Sequence, residues 1–249
     1  MDVPILWHFA ISHYNEKVRW ALDYKNIEHR KKLRYTDYLL FNLLRTGQLQ
    51  TPILFHNKKV ITDSTRIIAY LEDEYPKNSL YPKDPAELAR ALELEEFFDE
   101  ELGPHIRSYV ISTLFQHGAD VTTKAFSMGA RWYEEKLVKI LFRVFVPYYC
   151  WRHNINAQTI ELAKGKMDKA VERFESELQS SGYLVGDQFS VADLTAASLF
   201  YPLALPDEYP YKMPDSVKNV LNSIDGKFRQ SSVPDWVSKI YKKHRNQIA

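Results

Sequence analysis

Apolar and polar positions change their rhythm part-way along the chain. Up to about residue 75 the apolar runs are short. Pro4 to Ala10 reads as a first strand, and Val18, Ala21 and Leu22 at helical spacing predict a helix from Tyr14 to Lys25. Glu28 to Tyr35 is a basic run that suits a strand near a sheet edge, and Tyr38 to Gln48 reads as irregular or weakly helical. Gln50 to Tyr75 carries the clearest signal. An apolar run opens at Thr51-Pro52, and a polar turn at His56-Asn57-Lys58-Lys59 separates it from Val60-Ile61. Asp63-Ser64 then open an amphipathic helix with Ile67, Ile68 and Leu71 on one side. The order is βαβ followed by ββα.

The segment PKNSLYPKDP, with Pro76, Pro82 and Pro85, reads as a linker. Beyond it the apolar period is helical. Leu88, Ala91, Leu94, Phe98, Leu102, Ile106 and Tyr109 step by three or four and predict one long stripe. Ile160, Ala163, Met167, Ala170, Phe174 and Leu178 repeat the pattern, and Val191 to Tyr201 is apolar on nearly all sides, which predicts a buried helix. The expected architecture is an α/β domain over residues 1–78 and an all-helical domain over 86–249.

Charge removes some function classes. Lys and Arg number 33 and Asp and Glu 32, so no global basic field exists to hold nucleic acid. Apolar residues make up 45% of 249, enough for a substantial core. Cys150 is the only cysteine, so no intrachain disulfide and no Cys-rich metal site can form. No histidine spacing suits a metal, and no Gly-rich loop suits a phosphate. The N-terminal MDVPILWHFA lacks the features of a signal peptide. Ile140 to Trp151 is broken by Arg143 and Pro147 and is shorter than the ~20 residues a membrane span needs. A soluble cytoplasmic protein without a metal or membrane partner is expected.

Three short segments could carry chemistry. Ser12 follows the first strand and precedes a helix, a position that sets a hydroxyl beside a positive helix end. Taken alone, Ser12-His13-Tyr14-Asn15-Glu16-Lys17-Val18-Arg19 reads more simply as a serine N-cap. Gln50-Thr51-Pro52 taken alone reads as a trans proline starting a strand, because cis bonds are about 5–6% of X–Pro bonds. Asp63-Ser64 is a helix start suited to an α-carboxylate, or a plain cap.

Together these segments resemble the cytosolic glutathione transferases of the serine type. Ser12 followed by Lys17-Val18-Arg19, the proline at 52, the pair Asp63-Ser64 running on through Thr65-Arg66-Ile67, and Gly186-x-x-x-Ser190-x-Ala192-Asp193 are all in register with that family. The resemblance implies a thioredoxin-like domain, a helical domain, and glutathione as co-substrate. It implies a cis bond before Pro52. Thr51 would pair its backbone with the cysteinyl part of glutathione, and Gln50 would lie at the glycine end. Ser64 would take the γ-glutamyl carboxylate and Asp63 its ammonium. Ser12 would activate the sulfur. Branches that use cysteine in place of Ser12, or tyrosine where His8 stands, are excluded.

His13 and Glu16 depart from the family and are expected to alter the site entrance. A small electrophile is the implied partner, and a homodimer is implied, with Tyr70 and the stripe from Leu88 as contact candidates. A non-catalytic binding or regulatory module, or a glutathione-dependent isomerase or dehalogenase, stays open as an alternative. The resemblance places neither residues 115–158 nor the tail from 206. Of Phe115, Trp132, Tyr133, Phe142, Tyr148, Tyr149 and Trp151, most are expected in the core and a few along a groove. Lys136, Lys139 and Arg143 are expected to form a solvated face.

Overall fold

The structure, a computed structural model, describes residues 2–33, 44, 46, 47 and 50–245. Four strands form one sheet in the order β2-β1-β3-β4: β1 Ile5–His8, β2 Arg30–Leu33, β3 Ile53–His56 and β4 Lys59–Thr62. β1 runs parallel to β2 and antiparallel to β3, with Leu6 opposite Leu54, both fully buried. Asn57 and Lys58 both take positive φ, the conformation a tight β3–β4 hairpin demands. β2 is an edge, and its Arg30, Lys31 and Lys32 are exposed, which protects that edge from pairing with another chain. The irregular stretch read at 38–48, and the end of the second strand at Tyr35, fall mostly outside the described residues.

Helix α1 (His13–Tyr24) and helix α2 (Ser64–Glu74) pack against each other. The first strand is shorter than its apolar run, because the chain turns after His8. Ser12 N donates to the Phe9 carbonyl at 3.3 Å across that turn.

The helical part begins with α3 (Pro85–Phe97), capped by Asp84. The stripe predicted as one helix is broken at Phe98–Leu102 by a π-helical turn before α4 (Gly103–Gln116). Sequence explains the break. Gly103 N donates to Phe98 O, five residues back, and Pro104 has no N–H to give. The Asp99 carbonyl is left for another donor, and the Tyr14 hydroxyl takes it at 2.6 Å.

Short α5 (Ala119–Phe126), long α6 (Trp132–Arg152) and α7 (Ala157–Glu177) follow. The buried helix read at 191–201 is α8 (Val191–Ala204), and it packs against α1 and α3. Its start is a capping box. Asp193 accepts from the Ser190 and Leu184 N–H groups at 2.9 and 2.8 Å.

The tail, unplaced by sequence, forms α9 (Asp215–Asn222), α10 (Lys227–Gln230) and α11 (Val233–His244). α11 covers the outer side of α1 and α8, where Trp20 Nε1 donates to the His244 carbonyl at 3.2 Å. Among the described residues no helix is long and apolar enough to cross a membrane.

The α6 aromatics depart from expectation. Trp132 and Trp151 are 70% and 77% exposed, and of the seven aromatics named above only Tyr149 is buried. Lys136, Lys139 and Arg143 are exposed, as expected of a solvated face.

Candidate functional site

One cavity of about 850 Å³ lies between the sheet-bearing and helical parts. Ser12, Gln50, Thr51, Pro52, Asp63 and Ser64 all line it, although some fifty residues separate the first from the last. Two helix N-termini therefore face one space, α1 through Ser12 and α2 through Ser64. Each presents unpaired backbone N–H groups and partial positive charge.

Ser12 caps α1 and accepts from Asn15 N at 3.4 Å. Asp63 caps α2 with φ 75°, accepting from Arg66 N at 3.1 Å, and Ser64 behind it is buried. The Thr51–Pro52 peptide bond is cis.

Asn15 ties these pieces together. Its Nδ2 donates to Thr51 Oγ1 at 3.1 Å, its Oδ1 accepts from Phe9 N at 3.4 Å, and its backbone meets Ser12. The sequence reading assigned it no such role, for nothing local marks a residue that bonds 36 positions away.

The loop that delivers Ser12 is held from below. Arg19 is fully buried and donates to the Phe9 and Ala10 carbonyls at 3.2 and 3.1 Å. The Tyr209 and Tyr201 hydroxyls donate to the Ala10 and Ile11 carbonyls. Three successive carbonyls before Ser12 are thereby pinned, two of them by tyrosines from α8 and the tail. Glu16 is also fully buried and accepts from Arg19 Nε at 2.8 Å and Arg245 Nε at 2.7 Å. The expectation that Glu16 alters the entrance is therefore corrected: it faces the Arg19–Arg245 side, away from the cavity.

Lys17 closes the domain junction. Its Nζ is fully buried, 2.8 Å from Glu95, 2.5 Å from Asp99 and 3.2 Å from Thr65 Oγ1. Burial alone would pull its pKa down, but the two carboxylates outweigh burial and keep it charged. Thr65 donates to Asp99 at 2.6 Å, so α1, α2 and the π-turn meet at one ion cluster under the cavity.

Hydroxyls in the cavity are not equivalent. Tyr14 is committed to the Asp99 carbonyl, and burial followed by the Asp99 charge holds its phenol protonated. Tyr149 is buried and its pKa is likewise raised by burial. Ser12 sits at a helix N-terminus and is only half-buried. His13 does line the cavity, as its place in the sequence suggested. Burial first, then the Arg107 charge, lower its pKa to about 3, against the Gly103 carbonyl.

The far side of the cavity belongs to the helical part. Ile106, Val110 and Ile111 of α4 face Phe126, Phe145 and Tyr149 across it. Phe126 lies 5.1 Å from Phe145 and 5.8 Å from Tyr149, ring centre to ring centre. One half of the space is thus polar and rich in backbone donors, and the other is aromatic. A peptide-like anion suits the first, and an apolar body suits the second.

Such a two-part fold with its cavity at the junction defines a class that comparison with known proteins resolves. Residues 6–79 match the glutathione S-transferase N-terminal domain, and residues 137–221 the glutathione S-transferase C-terminal domain, which together span more than half of the chain. The chain belongs to the glutathione S-transferase family. A probable glutathione S-transferase of Nicotiana tabacum is 24% identical over 202 residues, 80% of this chain and 71% of that protein. Protein LigF of Sphingobium sp. is 32% identical over 152 residues, 58% of this chain and 56% of that protein. The crystal structure of beta-etherase LigF superposes with a TM-score of 0.68 at 20% identity, covering 96% of this chain and 95% of its own. Human glutathione-S-transferase T1-1 gives 0.66 at 15% identity, covering 98% and 84%. At such identities these structural likenesses speak for the fold.

Proposed function

We propose that the chain is a glutathione transferase of the serine type, adding the glutathione thiolate to a small, partly apolar electrophile. Glutathione lies along the polar half of the cavity. The Ser64 hydroxyl and the α2 N–H groups take the γ-glutamyl carboxylate, and Asp63 takes the ammonium. The Thr51 backbone meets the cysteinyl part, and Gln50 lies toward the glycine end. Ser12 donates its hydroxyl to the sulfur. A free thiol with pKa about 8.5 is mostly protonated at neutral pH. A hydroxyl hydrogen bond and the α1 N-terminus both favour the thiolate. The thiolate then attacks a carbon held in the aromatic half, the C–S bond forming as the bond to a leaving group such as halide breaks and the halide departs to solvent, so the protein supplies orientation and electrostatics while glutathione supplies the nucleophile.

The observation that carries this reading is the convergence of Ser12, Thr51-Pro52 and Asp63-Ser64 on one cavity. A second reading draws on the likeness to LigF, whose crystal structure is described as a beta-etherase. In that case a C–S bond forms as an ether C–O bond breaks, and the departing aryloxide takes a proton from water. Both readings use the same site. The experiment is a calorimetric titration with glutathione, in wild type and Ser64→Ala, followed by turnover on a benzylic halide and a β-aryl ether. Binding weakened roughly tenfold in Ser64→Ala, the effect of one charge-assisted hydrogen bond, is expected. No binding by wild type at millimolar glutathione would remove both readings in favour of a binding module. Release of phenol from the ether would select the second.

A further inference from the structure

Arg107 projects from the apolar wall of α4, between Ile106 and Val110, into the aromatic half of the cavity. Among the described residues it makes no ion pair and no hydrogen bond, and its Nε is buried without a partner. Arg107 is half-buried, so it is the buried Nε that carries the cost, since buried polar groups are ordinarily satisfied. Glu95 and Asp99 of the lower-lying ion cluster pair with Lys17, and neither forms an ion pair with Arg107.

A second unsatisfied group lies beside it. His13 is 4% exposed, lines the same cavity, and its Nε2 has no hydrogen-bond partner. Burial and then the Arg107 charge keep His13 neutral, and burial, Arg107 and Arg152 do the same for His153. The imidazoles therefore add no second cation, and the local field belongs to the arginines. The rings of Phe126, Phe145 and Tyr149, in contact with one another, line the same cavity. The pocket combines two arginines, half-buried Arg107 and exposed Arg152, with one unsatisfied neutral ring nitrogen and an aromatic wall.

We propose that Arg107 sets co-substrate specificity: the aromatic half accepts an aryl compound bearing an oxyanion, such as a carboxylate, which pairs with the guanidinium while its ring lies against Phe126, Phe145 and Tyr149. Calling that compound a co-substrate rests on the glutathione-transferase reading; the oxyanion site itself does not. A planar fork of N–H donors suits a carboxylate bidentately, which lysine reproduces only as a point charge.

The test is equilibrium binding of two unreactive probes, 2-naphthoate and 2-naphthamide, by calorimetry, with and without saturating glutathione. Wild type is expected to bind the naphthoate at least tenfold tighter. That preference should vanish in Arg107→Gln, persist in reduced form in Arg107→Lys, and survive in Arg152→Gln. Glutathione should leave it intact. Equal affinity of wild type for the two probes would overturn the proposal, as would a preference unchanged in Arg107→Gln. Loss of naphthoate binding when glutathione is added would also overturn it, because Arg107 would then serve glutathione. If Arg107→Gln does not fold, wild type against Arg107→Lys decides, and an identical preference in both counts against the bidentate pair. A chain that prefers the naphthoate but binds no glutathione would keep the oxyanion site and lose the transferase reading.

Discussion

Replacing Lys17 with methionine tests the ion cluster that joins the two parts beneath the cavity. Methionine keeps most of the stem volume and removes the charge. Lys17 Nζ lies 2.8 Å from Glu95 and 2.5 Å from Asp99, and the lysine side chain is fully buried. The carboxylate side chains are 2% and 10% exposed, so water does not replace the lost cation. Breaking a buried pair by removing one partner costs about 3–5 kcal/mol, a large share of the 5–15 kcal/mol typical of a whole domain. The pH dependence gives a second reading. Burial already raises the folded pKa of Glu95 above its unfolded value, Lys17 opposes that rise, and Lys17→Met removes the opposition. The penalty is then largest above the folded pKa of Glu95 and shrinks as acid protonates it. Urea unfolding at pH 7 and pH 5 is the assay. Adding Glu95→Gln and Asp99→Asn to Lys17→Met should restore part of the loss at pH 7. A cost below about 1 kcal/mol at pH 7, the level of a surface pair, would refute this reasoning, as would an identical cost at both pH values.

Acid should destabilise the protein through buried histidines. His13 takes a proton near pH 6.5 when unfolded but only near 3 when folded. The unfolded state therefore binds more protons between those values, and stability is lost as pH falls through that window. By pH 5 the loss from His13 is about 2 kcal/mol. His13→Asn should shed that part of the acid sensitivity in urea titrations, and curves parallel to wild type would contradict it. Gly103→Ala would place a Cβ 2.0 Å from the Tyr14 hydroxyl, so it should cost about 1–3 kcal/mol, read as a lowered melting midpoint; an unchanged midpoint would contradict the packing of Tyr14. Of the dimer contact candidates, the stripe is corrected, because Ala91, Leu94, Phe98, Leu102 and Ile106 are fully buried in the chain's own core, which leaves half-buried Tyr70; a homodimer meeting there should appear as a single dimeric species in sedimentation at micromolar concentration, and a monomer alone would count against it.

What the sequence discloses and what it hides divide by range. Asp63-Ser64, the Asn57-Lys58 turn and the Ser190–Asp193 box are legible because their bonds close within three residues. Ser12 is legible as a helix start, and the role proposed for it only through family resemblance. The π-turn at Phe98–Leu102 is hidden inside a stripe whose period it only slightly disturbs, with Gly103-Pro104 as the one local mark. Tyr209 bonds Arg19 at 3.0 Å across 190 positions, and no pattern in either segment announces it. The aromatics of α6 read mostly as core, yet Trp132 and Trp151 are 70% and 77% exposed. Arg107 left one trace, a cation adjoining the apolar stripe at Ile106. Nothing local distinguishes it from a solvated arginine, and only the cavity does.

The most direct test of the account is the thiol titration of bound glutathione in wild type and Ser12→Ala. A hydrogen bond to a charged group is worth about 1.5–3 kcal/mol, which corresponds to roughly one to two pKa units. Thiolate absorbance followed against pH should show the bound thiol titrating that much higher in Ser12→Ala, while the dissociation constant for glutathione changes little. Turnover at neutral pH should fall with it and recover in part at high pH. Superimposed titrations would reduce Ser12 to a helix cap and return the chain to the binding-module reading, since the Tyr14 hydroxyl is committed to Asp99 and Asn15 to Thr51 and Phe9.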